Sequence, residues 1–156
     1  LKEEDVAAVL EEIVEYLRHR GPQFGHHEIT VEHRDELPPI PINAELISWA
    51  FENLFKNAID AMDRQTGSMR IRLGFMPEGR AVQITFQDDG RGIEPENIKR
   101  VFDPGFSTKK RGWGLGLAFV KRIVEEYHKG KISVVQSAPG AGTTFEVILP
   151  LGKGAK

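Results

Sequence analysis

Val82-Gln83-Ile84-Thr85-Phe86-Gln87-Asp88-Asp89-Gly90-Arg91-Gly92 is the stretch that decides the fold. Apolar residues take every second position from Val82 to Phe86, the period of a strand with one buried face. The alternation continues in phase to Asp88, so a carboxylate stands where the next apolar side chain would be, while Asp89 turns to water. An ionised carboxylate is costly to bury without a partner, so Asp88 calls for a dedicated hydrogen-bond donor. Asp-Gly is common in ordinary strand-to-loop turns; the inward phase argues against that reading here.

Working outward, Met69, Ile71, Leu73 and Phe75 alternate with polar residues and form the strand before it. Ile132 with Val134, then Phe145, Val147 and Leu149, give two closing strands joined by a turn at Pro139-Gly140. Thr143 is in phase with Phe145, which directs its hydroxyl inward. Ile29 and Val31 suggest a further short strand, followed by a proline-rich turn at Pro38, Pro39 and Pro41. Helical spacing covers residues 4 to 19, stopped by Gly21-Pro22; it recurs from an Asn43 N-cap to about Met62, and from about Leu115 to Tyr127. Each β-segment has one apolar and one polar face, so helices should cover the sheet on one side only. The expected fold class is a two-layer α/β sandwich: a mixed, mostly antiparallel sheet of about five strands under about three helices.

Composition narrows the function. The chain has 156 residues, 40% of them hydrophobic, which suits one domain spanning 1–156 with a real core. A net charge of −2 gives no footprint for nucleic acid or for an anionic membrane surface. The absence of cysteine excludes disulfides and thiolate metal sites and suits a cytoplasmic setting. No apolar run approaches the roughly 18 residues of a membrane span. The chain starts at Leu1 rather than Met and reads as a fragment.

Three segments carry chemistry. Asn53 and Asn57 lie four residues apart and stack on one stripe of the second helix. An amide oxygen is a neutral hard ligand, and Mg²⁺ takes few protein ligands beside water and substrate phosphates, so Asn57, helped by Asn53, suits Mg²⁺. Asp88 would accept from an exocyclic amine such as that of adenine. Guanine would instead oppose a carbonyl to the carboxylate, so ATP is preferred to GTP. Gly112, Gly114 and Gly116 clear side chains from a turn at a helix N-terminus, where backbone amides meet phosphates. Lys109, Lys110 and Arg111 place positive charge just upstream, and Lys109 is the candidate phosphate ligand. No strand immediately precedes the glycines and no Gly-Lys-Ser/Thr follows, so neither a Rossmann turn nor a P-loop fits. Residues 93 to 113 are too long for an ordinary connector and read as a lid.

With these residues in place, the chain resembles the catalytic and ATP-binding domain of sensor histidine kinases, in the superfamily that includes DNA gyrase, heat-shock chaperone and MutL-type ATPases. Glu52-Asn53-Leu54-Phe55-Lys56-Asn57-Ala58 is similar to the N box, Asp88 to Gly92 to the first glycine box, Phe102-Asp103-Pro104-Gly105-Phe106-Ser107-Thr108-Lys109 to the F box, and Gly112-Trp113-Gly114-Leu115-Gly116-Leu117 to the second glycine box. The resemblance implies the Bergerat fold with ATP and Mg²⁺ as cofactors. It also implies that Asn57 holds the metal, Asp88 and Ile93 bind the base beside Gly90, Gly92 and Thr143, and Lys109 and the glycine turn with Leu115 and Leu117 meet phosphate. Gyrase-like members carry a water-activating glutamate where this chain has Asn53. An amide is no general base near neutral pH, so transfer to another nucleophile is the expected chemistry, with Glu52 a candidate to assist the acceptor.

Two departures accompany the resemblance. Many histidine kinases have a lysine where Asp60 stands, and a nitrogen-sensor-like subfamily is the closer match. No phosphoacceptor is evident: His27-Glu28 lies in strand-like sequence, and His33-Arg34-Asp35 mimics another kinase loop by chance, since Ile40 stands where that loop needs Asn. His19, His26 and His128 read as surface residues. The expected activity is donation of the ATP γ-phosphoryl group to a histidine on a separate dimerisation domain, with a response regulator receiver domain downstream. The parent protein is then a homodimer and this fragment a monomer. The alternatives are a free-standing anti-sigma-type serine kinase and a non-catalytic nucleotide sensor.

Overall fold

Alternation becomes strand and helical spacing becomes helix along most of the chain, with two additions that periodicity does not reveal. The computed structural model describes residues 1–19, 27–62, 67–106 and 116–152. In chain order they form β1 (Lys2–Glu4), α1 (Val6–Arg18), β2 (His27–His33), β3 (Ile40–Ile42), α2 (Ala44–Ala61), β4 (Gly67–Phe75) and β5 (Ala81–Asp88). A single 3₁₀ turn, Pro95–Asn97, follows. Next comes α3 (Gly116–Lys121), which runs into a π-helical segment, Arg122–Tyr127, and then β6 (Lys131–Ser137) and β7 (Thr143–Pro150).

The main sheet has five strands in the order β2-β4-β5-β7-β6. Only the β2–β4 pair is parallel, so the sheet is mixed and mostly antiparallel as expected. Its apolar face lies under the helices. Phe51 and Phe55 of α2 pack on Phe86 of β5 with ring centroids 5.4 and 5.8 Å apart. Val6, Leu10, Ile13, Val14 and Leu17 of α1 and Val120, Ile123 and Val124 of the third helix join the same hydrophobic cluster. Both long helices begin at a capping side chain, which satisfies an amide the helix itself leaves unpaired: Asp5 accepts from Ala8 N at 3.1 Å and Asn43 from Leu46 N at 3.0 Å.

The first addition is a second, two-stranded sheet. β1 pairs antiparallel with β3, Glu3 opposite Pro41, where the sequence suggested a helix start and a proline turn. Three-residue strands are too short to display alternation, and a proline is tolerated because this strand has a free edge. The second addition concerns the last helix, expected to be regular to Tyr127. It widens to π geometry from Arg122, and Gly130 N then bonds Val124 O at 2.8 Å.

His128 is a correction: it is buried, not a surface residue. Its ring folds back under the π segment, Nδ1 lying 2.8 Å from Ile123 O, and Nε2 accepts from Asn43 N at 3.0 Å. A carbonyl cannot donate and an amide N–H cannot accept, so the ring is neutral with its proton on Nδ1. His128 thus joins the start of α2 to the end of the third helix. The segments set aside as phosphoacceptor or kinase-loop matches have structural roles. His27 and Glu28 lie in β2, and Asp35 accepts Phe75 N at 2.9 Å, extending the β2–β4 edge. His26 lies outside the described residues.

Candidate functional site

The site is organised around the end of β5. Asp88 follows Phe86 on the helix-covered face and is 6% exposed. Its Oδ1 accepts from Gly90 N at 2.8 Å, and the backbone N–H of Thr143, its direct cross-strand partner, also favours the charged carboxylate. Burial raises its pKa above the ordinary 3.8; the two N–H groups work against that rise without cancelling it. Asp89 faces outward and ties the start of β4 to this loop, accepting from Ser68 N at 3.1 Å.

The loop after Asp88 is held on both sides. Arg91 N bonds Ala61 O at the end of α2 at 2.9 Å, and Arg91 O accepts Gly140 N at 2.7 Å from the β6–β7 turn. Such close approach excludes side chains. A Cβ on Gly90 would lie 2.6 Å from Ala61 O. At Gly92 (φ +76°) it would run into the Ala138 carbonyl, and at Gly142 (φ +83°) into that of Asp88. Positive φ adds a backbone reason for glycine at the latter two. These are steric roles, additional to any ligand contact.

Thr143 is buried beside Asp88, and its Oγ1 lies 2.9 Å from Ser137 Oγ. The same Ser137 hydroxyl accepts from Ile93 N at 2.9 Å. Ile93 is half-buried against the core. Asp88, Thr143 and Ile93 are therefore gathered at one end of the sheet, beside the C-terminal end of α2. Ser137 escaped the sequence reading because a bulge in β6 moves it, and strand alternation carries no sign of that bulge.

The other candidates lie along α2 and at the start of α3. Asn53 and Asn57 are half-buried on successive turns of α2. Asn53 donates to Trp49 O at 2.9 Å, leaving Oδ1 directed to the first turn of α3, where a Cβ on Gly116 would lie 3.3 Å from it. The α2 stripe thus extends from the start of α3 to the Asp88 loop. Glu52 is half-buried one position off that stripe, Gly116 is exposed, and Leu117 packs against the core. Lys109, Gly112, Gly114 and Leu115 lie outside the described residues.

The first part of the segment read as a lid is packed down. Val101 is buried, and Phe102 meets Phe145 of β7 edge-on at 6.0 Å, with Lys121 Nζ 5.8 Å from the Phe102 ring. Among the described residues no cluster of three acidic or histidine side chains could cage a metal. The donors on the Asn53/Asn57 stripe of α2 are amides, which fits an ion that keeps its water and substrate oxygens, as Mg²⁺ does, and not an all-protein site.

The family model described as histidine kinase-, DNA gyrase B- and HSP90-like ATPase matches residues 42–153, most of the chain. The chain belongs to this ATPase family. Among curated relatives it is 30% identical to sporulation kinase E of Bacillus subtilis over 99% of its own length, and 38% identical to the sensory histidine kinase/phosphatase NtrB of Rhodobacter capsulatus over 84%. It spans 20% and 39% of those two proteins. A nucleotide-free catalytic domain of histidine kinase ThkA superposes with a TM-score of 0.83 at 24% identity, each chain covered to 97%. Full-length ShkA in complex with AMPPNP superposes with the same score and identity, covering 100% of this chain and 32% of that one. The five-stranded mixed sheet with three helices is accordingly the fold of histidine kinase catalytic domains, and the resemblance to a nitrogen-sensor-like kinase has a counterpart in NtrB.

Proposed function

We propose that the chain is the catalytic and ATP-binding domain, one unit over residues 1–156, of a two-component sensor histidine kinase. It presents the γ-phosphoryl group of ATP to a histidine on a separate dimerisation domain. The observation that carries this reading is the buried carboxylate of Asp88 at the end of a strand, next to Thr143 and close to the amide stripe of α2. Asp88 accepts from the adenine amino group, with Thr143 and Ile93 enclosing the base and Gly90 and Gly92 shaping the loop. Asn57, assisted by Asn53, holds Mg²⁺, which when bound neutralises phosphate charge. Lys109 and the turn Gly112, Gly114, Leu115, Gly116 and Leu117 meet the phosphates.

Phosphoryl transfer depends on positioning and charge neutralisation more than on covalent help from the protein. Asn53 cannot remove a proton from water, so the site favours an external nucleophile over hydrolysis. Glu52 is half-buried on the same turn, and in this reading it assists that acceptor. Several relatives are named sensor histidine kinases, and ThkA has been crystallised with the response regulator protein TrrA. By analogy, a receiver domain takes the phosphoryl group from the partner histidine, in a homodimeric and cytoplasmic kinase core. Among the described residues no helix is long and apolar enough to cross a membrane. Incubation with γ-labelled ATP tests the proposal. The chain alone should remain unlabelled, and adding a dimerisation domain with an acceptor histidine should give acid-labile label on that domain. Stable phosphohistidine on the chain itself, or acid-stable, base-labile label on the partner, contradicts it.

A further inference from the structure

The Ser137 hydroxyl stands at the junction of three segments. It accepts from Ile93 N at 2.9 Å, lies 2.9 Å from Thr143 Oγ1 and donates toward Gly142 O at 3.3 Å. One oxygen thus links the root of the lid segment, the start of β7 and the end of β6. Its location depends on an irregularity in β6. Val134 pairs with Phe145, but Gln136, not Val135, pairs with Thr144, and Ser137 pairs with Thr143. The extra residue, Val135, is left 50% exposed at the bulge. Had β6 continued regularly, Gln136 would stand opposite Thr143 and the serine would fall beyond it. Bulges of this kind re-aim a side chain, here placing a short hydroxyl where a long amide would otherwise lie.

We infer that Ser137 is a positioning residue for the base end of the nucleotide site: it fixes Thr143 and Ile93 relative to Asp88 without touching the ligand. The inference rests on the ATP-site reading above and adds to it a residue outside the four sequence boxes. A hydroxyl has one proton and two lone pairs, enough to serve the Ile93 amide and the Thr143 hydroxyl together. Alanine can serve neither. It leaves the Ile93 N–H without its partner and frees the Thr143 side chain to rotate. Threonine keeps the oxygen and suits a strand.

Calorimetric titration of the full chain with ATP and with ADP, in Mg²⁺, tests this. Ser137→Ala should weaken both nucleotides by the same factor, about tenfold for one lost hydrogen-bonding group, because the defect lies at the base they share. Ser137→Thr should bind within about threefold of the parent chain. If the alanine variant does not fold, Ser137→Cys, with its weaker donor and acceptor, should show a smaller equal loss for both nucleotides. Parental affinity in the alanine variant overturns the inference alone. So does a loss confined to ATP, or a threonine variant as weak as alanine. A parent chain that binds neither nucleotide overturns the ATP-site reading and the inference with it.

Discussion

At the scale of single residues, the charge on Asp88 is held at a cost to the fold. Asp88 is a carboxylate whose burial raises its pKa despite two backbone donors, so ionising it costs the folded chain free energy. The folded value lies above the unfolded one. This residue's contribution to stability is therefore full below about pH 3.8 and is lost as pH rises through the folded pKa. Asp88→Asn removes that cost while keeping an oxygen for Gly90 N, and should raise the unfolding midpoint of the unliganded chain in neutral buffer. The same change turns an acceptor into a donor opposite the adenine amine, and should weaken ATP binding by roughly 10- to 100-fold. A variant that is less stable, or that binds ATP normally, contradicts the assignment. Gly142 represents the steric side of the site. Gly142→Ala combines positive φ with a clash against the Asp88 carbonyl, and denaturant titration should show a loss of about 2 kcal/mol or more. The acid was legible in the sequence because β5 alternates without a break. Ser137 was not, because a bulge shifts phase without changing composition.

Among elements, the long, regular ones were the legible ones. The apolar spacing and the Asn43 cap of α2, and the alternation of β4, β5 and β7, survive in the structure because each element buries one face against a large partner. β1 and β3 were hidden by their length, and the π-helical turn by long-range contacts. His128 supports that turn, since Nδ1–H donates to Ile123 O and Nε2 accepts from Asn43 N. Burial lowers its pKa from the ordinary 6.5, and the Ile123 carbonyl opposes the shift. The folded state disfavours the proton, so stability is full above pH 6.5 and falls as pH drops through that value toward the folded pKa. Protonation would set an Nε2–H against the Asn43 N–H and separate α2 from the third helix. Chemical denaturation at a series of pH values should show stability declining below about 6.5, with His128→Gln removing that part of the slope. An unchanged slope in the variant would mean other groups cause it.

For the molecule as a whole, the sheet, the helix layer and the Asp88 loop are joined into one unit. α2 meets β5 through Phe51, Phe55 and Phe86, and its last carbonyls hold the loop that follows Asp88. Damage to that packing should therefore reach the site as well as the core. The chain spans a fifth to two fifths of the first two relatives' lengths. The order of the four boxes was readable from sequence; the mutual approach of Ile93, Ser137 and Thr143 needed the fold, because it joins residues 44 and 6 positions apart. The central claim is that a buried acid selects adenine. Its most direct measurement is calorimetric titration of the chain with ATP and with GTP, both in Mg²⁺. The account predicts saturable ATP binding at one site and GTP affinity lower by at least about 10- to 100-fold, the effect of setting a carbonyl against the carboxylate. Equal affinity for the two nucleotides, or no binding of ATP, contradicts it.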